Sequence, residues 1–202
     1  MAPTTKIAGI ASAAALAVVV GVFAIPQAQG APDAASAGRP TASATSTTTT
    51  AELAALLQFN RDEERMARDL YQALADVYDG AQPFSMITRS EQMHYSAIGT
   101  LLDRYGISDP SVGKAPGMYA STAVQELYDR WLREGKVSLQ AAYAVGIELE
   151  KRDIADLDAT LAKVTQADVR RVLTNLKAAS ENHLAAFEAA AAGKTVTGQM
   201  GS

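Results

Sequence analysis

The sequence predicts an all-α protein, on three observations. Apolar residues recur every three to four positions through four long stretches, the first stretch has no interior Gly or Pro, and Gly80, Pro83 and Gly106 mark breaks between stretches. The first stretch runs from Ala51 to about Tyr78, with Leu53, Leu56, Leu57, Ala67, Leu70, Tyr71, Leu74 and Tyr78 on one side. Asp79-Gly80 and Pro83 end it. A second stretch runs from about Ser85 to Tyr105 and stops at Gly106; a third starts near Ser138 and reaches about Lys163. Thr165, followed by Asp168, offers an N-cap for a fourth that ends near Ala192.

Between the second and third stretches lie some thirty residues with a shorter helix, starting at about Thr122 with capping-box spacing to Gln125 and stopping at Glu134-Gly135. Two short connections and one long one describe a ferritin-like four-helix bundle, in which a long crossover, here carrying a short extra helix, joins two parallel helices. An up-down-up-down bundle would need three short loops.

The chain has 202 residues, 48% hydrophobic and 20% charged, with a formal net charge of -4 and no cysteine. Zero Cys excludes disulfides, thiolate metal sites, a cysteine nucleophile and a lipid-anchoring cysteine. An acidic balance without clustered Lys and Arg argues against nucleic-acid binding and favours cations as partners. Residues 7–25 carry no charge, follow Lys6 and precede Ala28-Gln29-Gly30, the pattern of a signal peptide over residues 1–30. No twin-Arg pair precedes it, so export by the Sec route to the cell envelope or beyond is expected, without stable membrane insertion after cleavage. Residues 31–50, rich in Ala, Ser, Thr and Pro, read as a disordered linker, residues 51–192 as the helical domain and residues 193–202 as a flexible tail.

At about 100° per residue, several polar side chains fall on the apolar stripes. Glu91 and His94, about 60° apart, share a side with Ile98, Leu102 and Tyr105. Glu150 sits within the stripe of Leu139, Tyr143, Ile147, Ile154, Leu157 and Leu161, with Asp153 on its flank and Glu148 opposite. His183 aligns with Val169, Val172, Leu176 and Phe187. Glu63 and Glu64 flank the first stripe on either side, Tyr71 lies two turns below Glu64, and Asp69 points to solvent. Several ionised carboxylates buried together need a cation, and oxygen plus imidazole donors suit iron, manganese or zinc. Blander readings exist. Thr88-x-x-Glu91 also fits a capping box, Glu63 and Glu64 beside Arg61, Arg65 and Arg68 fit a solvated charge run, and a lone inward His or Tyr fits core packing.

The segments RDEERMARDLY, RSEQMHYSAIGTLLDRYGI, LEKRDIADL and SENHLAAF, in this order and spacing, resemble a ferritin-like family related to rubrerythrins and bacterioferritins and known only as a domain of unknown function. The resemblance spans about residues 52–190. It implies two metal ions held by one Glu from each of two helices and Glu-x-x-His from the other two. Carried over, Glu64 and Glu150 are the single carboxylates, Tyr71 follows Glu64 as in such proteins, and Glu91 with His94 is one Glu-x-x-His. His183 departs from the pattern, because Ser180 stands where Glu is expected and Glu181 points elsewhere. Either Asp153 replaces the missing carboxylate, or one metal binds, or binding is weak. The resulting expectation is a secreted iron or manganese protein reacting with dioxygen or peroxide, with Tyr71 hydrogen-bonding a ligand. The alternative is a non-catalytic metal-binding or structural bundle acting as an envelope interaction module, which a tight homodimer would favour. Storage of iron in a cage has no support in one chain's sequence.

Overall fold

A computed structural model of the chain describes residues 48–194, which form five α-helices and no strand. These are α1 (Thr50–Val77), α2 (Phe84–Tyr105), α3 (Thr122–Gly135), α4 (Leu139–Leu161) and α5 (Ala167–Ala191). The expected signal peptide, most of the linker and most of the tail lie outside the described residues. No helix among the described residues is long and apolar enough to cross a membrane.

Helices α1 and α2 form one hairpin and α4 and α5 another; α1 also packs on α4, α2 on α5, and α3 lies against α1 and α4. The caps explain the boundaries. Thr49 and Ser138 accept backbone N–H groups at the starts of α1 and α4. Gly106, in the left-handed region at φ 64°, closes α2. The Thr48 hydroxyl bonds the Lys163 carbonyl. Two expectations are corrected. Ser121, not Thr122, caps α3, and the Gln125 side chain accepts from the Tyr119 N–H instead. Gln166, not Thr165, precedes α5, without a side-chain cap.

The apolar side chains form two clusters. One gathers Met66, Leu70, Tyr71, Leu74, Phe84, Trp131 and Phe187; the other gathers Leu53, Leu57, Ile98, Leu102, Leu157, Leu173 and Leu176. Along each long helix, polar residues between these clusters are buried: Asn60 to Arg65, Ser90 with Glu91 and His94, Glu150 and Asp153, and Ser180 with His183. A polar band therefore crosses the middle of the protein.

The charge run of α1 is not solvated. Arg65, 3% exposed, donates to the carbonyls of Lys114, Ala115 and Met118. Arg61 pairs with Asp109 at 2.7 Å and lies over the Tyr95 ring. Asp62 accepts the N–H groups of Ala120 and Ser121, and Asp69, expected at the surface, accepts from Gly117 N–H and the Tyr119 hydroxyl. The crossover is thus fastened to α1 by charge-assisted hydrogen bonds, which supply the loop's polar groups with partners that water cannot reach. Gly99 makes room for this clamp: a Cβ there would meet the Arg61 guanidinium at 2.8 Å. Replacing Arg65→Met leaves three carbonyls without their donor and is expected to cost about 3 kcal/mol in urea denaturation. The exposed Arg171→Met should change stability by no more than about 0.5 kcal/mol.

A candidate dinuclear metal centre

The polar band places six buried titratable side chains from four helices around Glu91. His94 Nδ1 lies 3.0 Å from Glu91 Oε2 and 3.2 Å from Glu64 Oε2. His183 Nδ1 lies 2.8 Å from Glu91 Oε1 and 3.6 Å from Glu150 Oε1. The two imidazole rings face each other with centroids 5.5 Å apart. Each carboxylate oxygen of Glu91 therefore meets a different imidazole.

These residues reach one another for local reasons. Glu91 and His94 are one turn apart on α2, inside the helix rather than at its start, because α2 begins at Phe84 and the Thr88 hydroxyl bonds the Phe84 carbonyl. The capping-box reading of Thr88 and Glu91 is thereby excluded. The connection Tyr78–Pro83 is long enough to bring Glu64 and His94 level. Glu64 rather than Glu63 enters the cluster; Glu63 faces Arg152 of α4. The Tyr71 hydroxyl donates to Glu150 Oε1 at 2.7 Å, and its ring is held by Phe84 and Phe187. Gly146 permits that packing, since a Cβ there would meet the Phe187 ring at 2.6 Å.

Ser180 occupies the place of the carboxylate that the resemblance requires on α5. Its hydroxyl donates to Asp153 Oδ2 at 2.7 Å, so α4 brings a carboxylate to the position α5 leaves without one. Glu148 and Glu181 are exposed, as expected. Two neighbours escaped the sequence reading. Ser90, 3.5 Å from His94 Nε2, is signalled only by its four-residue spacing from that histidine. Asp156, beside Arg152, extends the Glu150, Asp153 spacing by three more residues.

The electrostatics follow from burial. Loss of water would raise the Glu91 carboxyl, but His183 and His94 together override it and hold it well below the usual range. The imidazoles would lose their protons on burial, but Glu91 above all keeps them, raising His94 to about 11 and His183 to about 10. Glu64 and Glu150 rise chiefly through desolvation, Glu150 to about 7, and Asp153 also reaches about 7 for that reason and because Glu91 is near. Protons therefore neutralise the cluster when nothing else does.

Protons satisfy it poorly. His183 Nδ1 and Glu91 Oε1 are in contact but out of line for a hydrogen bond, and among the described residues neither has another partner; nor do His183 Nε2 and Glu64 Oε1. Orphaned buried groups of this kind are expensive. A cation answers the defect. Glu64, Glu91 and His94 offer one set of donors, and Glu91, Glu150 and His183 another, the donor atoms in each lying within 4.8 Å of one another. The sets share Glu91. A wider open cleft of about 590 Å³, lined by Arg68, Gln72, Arg89 and Gln92, contains none of these donors.

In the metal-free protein both histidines are expected to stay protonated, with ring C–H resonances that do not titrate between pH 6 and 9. Because their folded pKa values are raised above the ordinary 6.5, the stability they confer is complete below that pH and is lost only as pH rises through about 10 and 11. A midpoint near 6.5 for either ring in NMR spectra would contradict this arrangement.

Residues 53–198 match the model of an uncharacterized protein domain, DUF2202. An uncharacterized protein of Methanocaldococcus jannaschii, MJ0754, is 37% identical over 127 residues, which are 63% of this chain and 68% of that protein. The crystal structure of the hypothetical protein MJ0754 from the same species superposes with a TM-score of 0.68 at 32% identity, covering 84% of this chain and 93% of that one. The match takes in all five helices and every residue of the Glu91 cluster, so the chain belongs to the DUF2202 family.

Proposed function

We propose that this chain is a secreted ferritin-like metalloprotein with a dinuclear iron or manganese centre that reacts with dioxygen or peroxide. The observation that carries the reading is the sharing of Glu91 by two three-residue donor sets built from all four long helices. Two hairpins with one long connection support the ferritin-like assignment. The uncharged stretch at residues 7–25 supports export.

In this reading Glu64, Glu91 and His94 would hold one ion, and Glu91, Glu150 and His183 the other. Asp153, fixed by Ser180, supplies the fourth carboxylate, so the unusual α5 sequence does not reduce the donor count. Iron or manganese would supply the electrons and the Lewis acidity that side chains lack. Zinc fits the same donors and would bind without redox chemistry. Tyr71 positions Glu150 through its hydroxyl and, with Phe84 and Phe187, keeps water from that side of the centre. The two histidines, together with the protonated fraction of Glu64, Glu150 and Asp153, must give up their protons to become ligands, so metal binding should release more than two protons per chain near neutral pH and tighten as pH rises.

Elemental analysis of the full chain, purified without a metal-affinity tag, tests the proposal. About two iron or manganese ions per chain are expected, with both Glu91→Ala and His183→Ala losing them. Metal at a hundredfold excess over its dissociation constant should stabilise the fold by about 2.7 kcal/mol. No bound metal and no thermal stabilisation after incubation with Fe(II), Mn(II) and Zn(II) would overturn the proposal. A non-catalytic envelope bundle would then be the reading left.

A further inference from the structure

The centre is closed to solvent. His183 is fully buried, and Glu64, Glu91, Glu150 and His94 are each at most 6% exposed, so an ion from solution must cross a protein wall to reach them. Shedding the hydration shell of a divalent cation in one step is prohibitive unless protein oxygens replace the lost waters along the way.

One side of the wall has such oxygens. On α4, Glu150, Asp153 and Asp156 follow at three-residue intervals, each turned about 60° further around the helix, and rise about 9 Å in all from the centre. Opposite them on α1 stands Glu63, next to the ligand Glu64 and 4% exposed. Glu63 Oε2 is buried and, among the described residues, has no hydrogen-bond partner; the same holds for Asp156 Oδ2. The nearby cation is Arg152, whose Nε lies 3.5 Å from Glu63 Oε1 and 3.1 Å from Asp156 Oδ2. A structural bridge between Arg and carboxylate is normally bidentate and short. This one is neither, and it divides one guanidinium between two carboxylates.

Beyond Arg152 the surface opens. A cleft of about 300 Å³ between α3 and α4 is lined by Ala123, Glu126, Leu127, Arg130 and Arg152. Arg130 is already paired with Glu148 at 2.8 Å, and the Arg152 side chain is 40% exposed. The other near-surface edge of the centre, at Ser90 and His94, presents a hydroxyl and an imidazole in place of carboxylates.

We infer that Glu63 and Asp156 form an outer, transient binding site for a divalent cation, through which ions pass from the Arg152 cleft to Asp153 and the Glu91 centre. Arg152 is the displaceable counter-ion of that site. The inference rests on the metal centre proposed above, and adds to it the path by which the centre is filled.

The test is the rate at which the metal-free full chain takes up Co(II), followed by stopped-flow absorbance of the cobalt bands. Glu63→Gln and Asp156→Asn should each slow loading at least about tenfold while the final stoichiometry stays that of the unaltered protein, because a site on the path changes entry and release together. Arg152→Gln should speed loading, a change that misfolding would not produce. Asp158→Asn, which removes the same charge from an exposed position paired with Lys177, should leave the rate unaltered. Unchanged loading in Glu63→Gln and Asp156→Asn would overturn the route, as would equal slowing in Asp158→Asn. If the unaltered chain takes up no Co(II), the centre itself fails and the route with it; if it loads and only the variants behave alike, the route alone fails.

Discussion

A carboxylate buried between two imidazoles governs the middle of this protein. Glu91 is 2% exposed, in a core that would otherwise be hydrocarbon, and an isolated charge there would cost more than the fold could recover. Everything that touches it can be read as compensation. His94 and His183 meet its two oxygens from α2 and α5, Glu64 and Glu150 complete the surround from α1 and α4, and Tyr71 and Ser180 donate to Glu150 Oε1 and Asp153 Oδ2. The compensation by protons is incomplete, since both nitrogens of His183 remain without hydrogen bonds. A cation held as proposed would remove that residual defect.

The band of polar residues is tolerable because the protein is closed above and below it. Phe84, Phe187, Trp131 and their neighbours pack one end, and Leu57, Ile98, Leu157 and Leu173 pack the other. Burial of these side chains, each contributing about 1.5–3 kcal/mol, outweighs a costly centre. Neither end needs the polar residues for its own packing. The crossover has a separate fastening: Arg61, Asp62, Arg65 and Asp69 hold residues 109–121 to α1, so the long connection is part of the rigid body rather than a loose strap.

Much of this was legible in the sequence. Three-and-four periodicity located the helices to within a few residues, and asking which polar residues share an apolar stripe picked out Glu91, His94, Glu150 and His183, all of which meet in space. The method depends on a helix having one buried face. It therefore failed on α1, which is buried on two: Asp69 points away from the stripe, as its angle requires, but the crossover covers that side through Tyr119 and Gly117. The crossover has no periodicity from which its position could be read. The choice between Glu63 and Glu64 was equally hidden, because both sit at the same angle from the stripe and only the positions of His94 and Arg152 separate them. Tyr71 is expected from the sequence to hydrogen-bond a ligand, but which one stays hidden there, because its partner, Glu150, comes from α4.

The central claim is that Glu91 bridges two cations. Diffraction data collected at the iron and manganese absorption edges, from crystals of the chain grown with each metal, address it directly. The account predicts two anomalous peaks about 3.5–4 Å apart, one on each side of the Glu91 carboxylate, with His94 Nδ1 and His183 Nδ1 each bound to one of them. Absence of anomalous density in crystals soaked with either metal, with Glu91 still held between two protonated imidazoles, would contradict it.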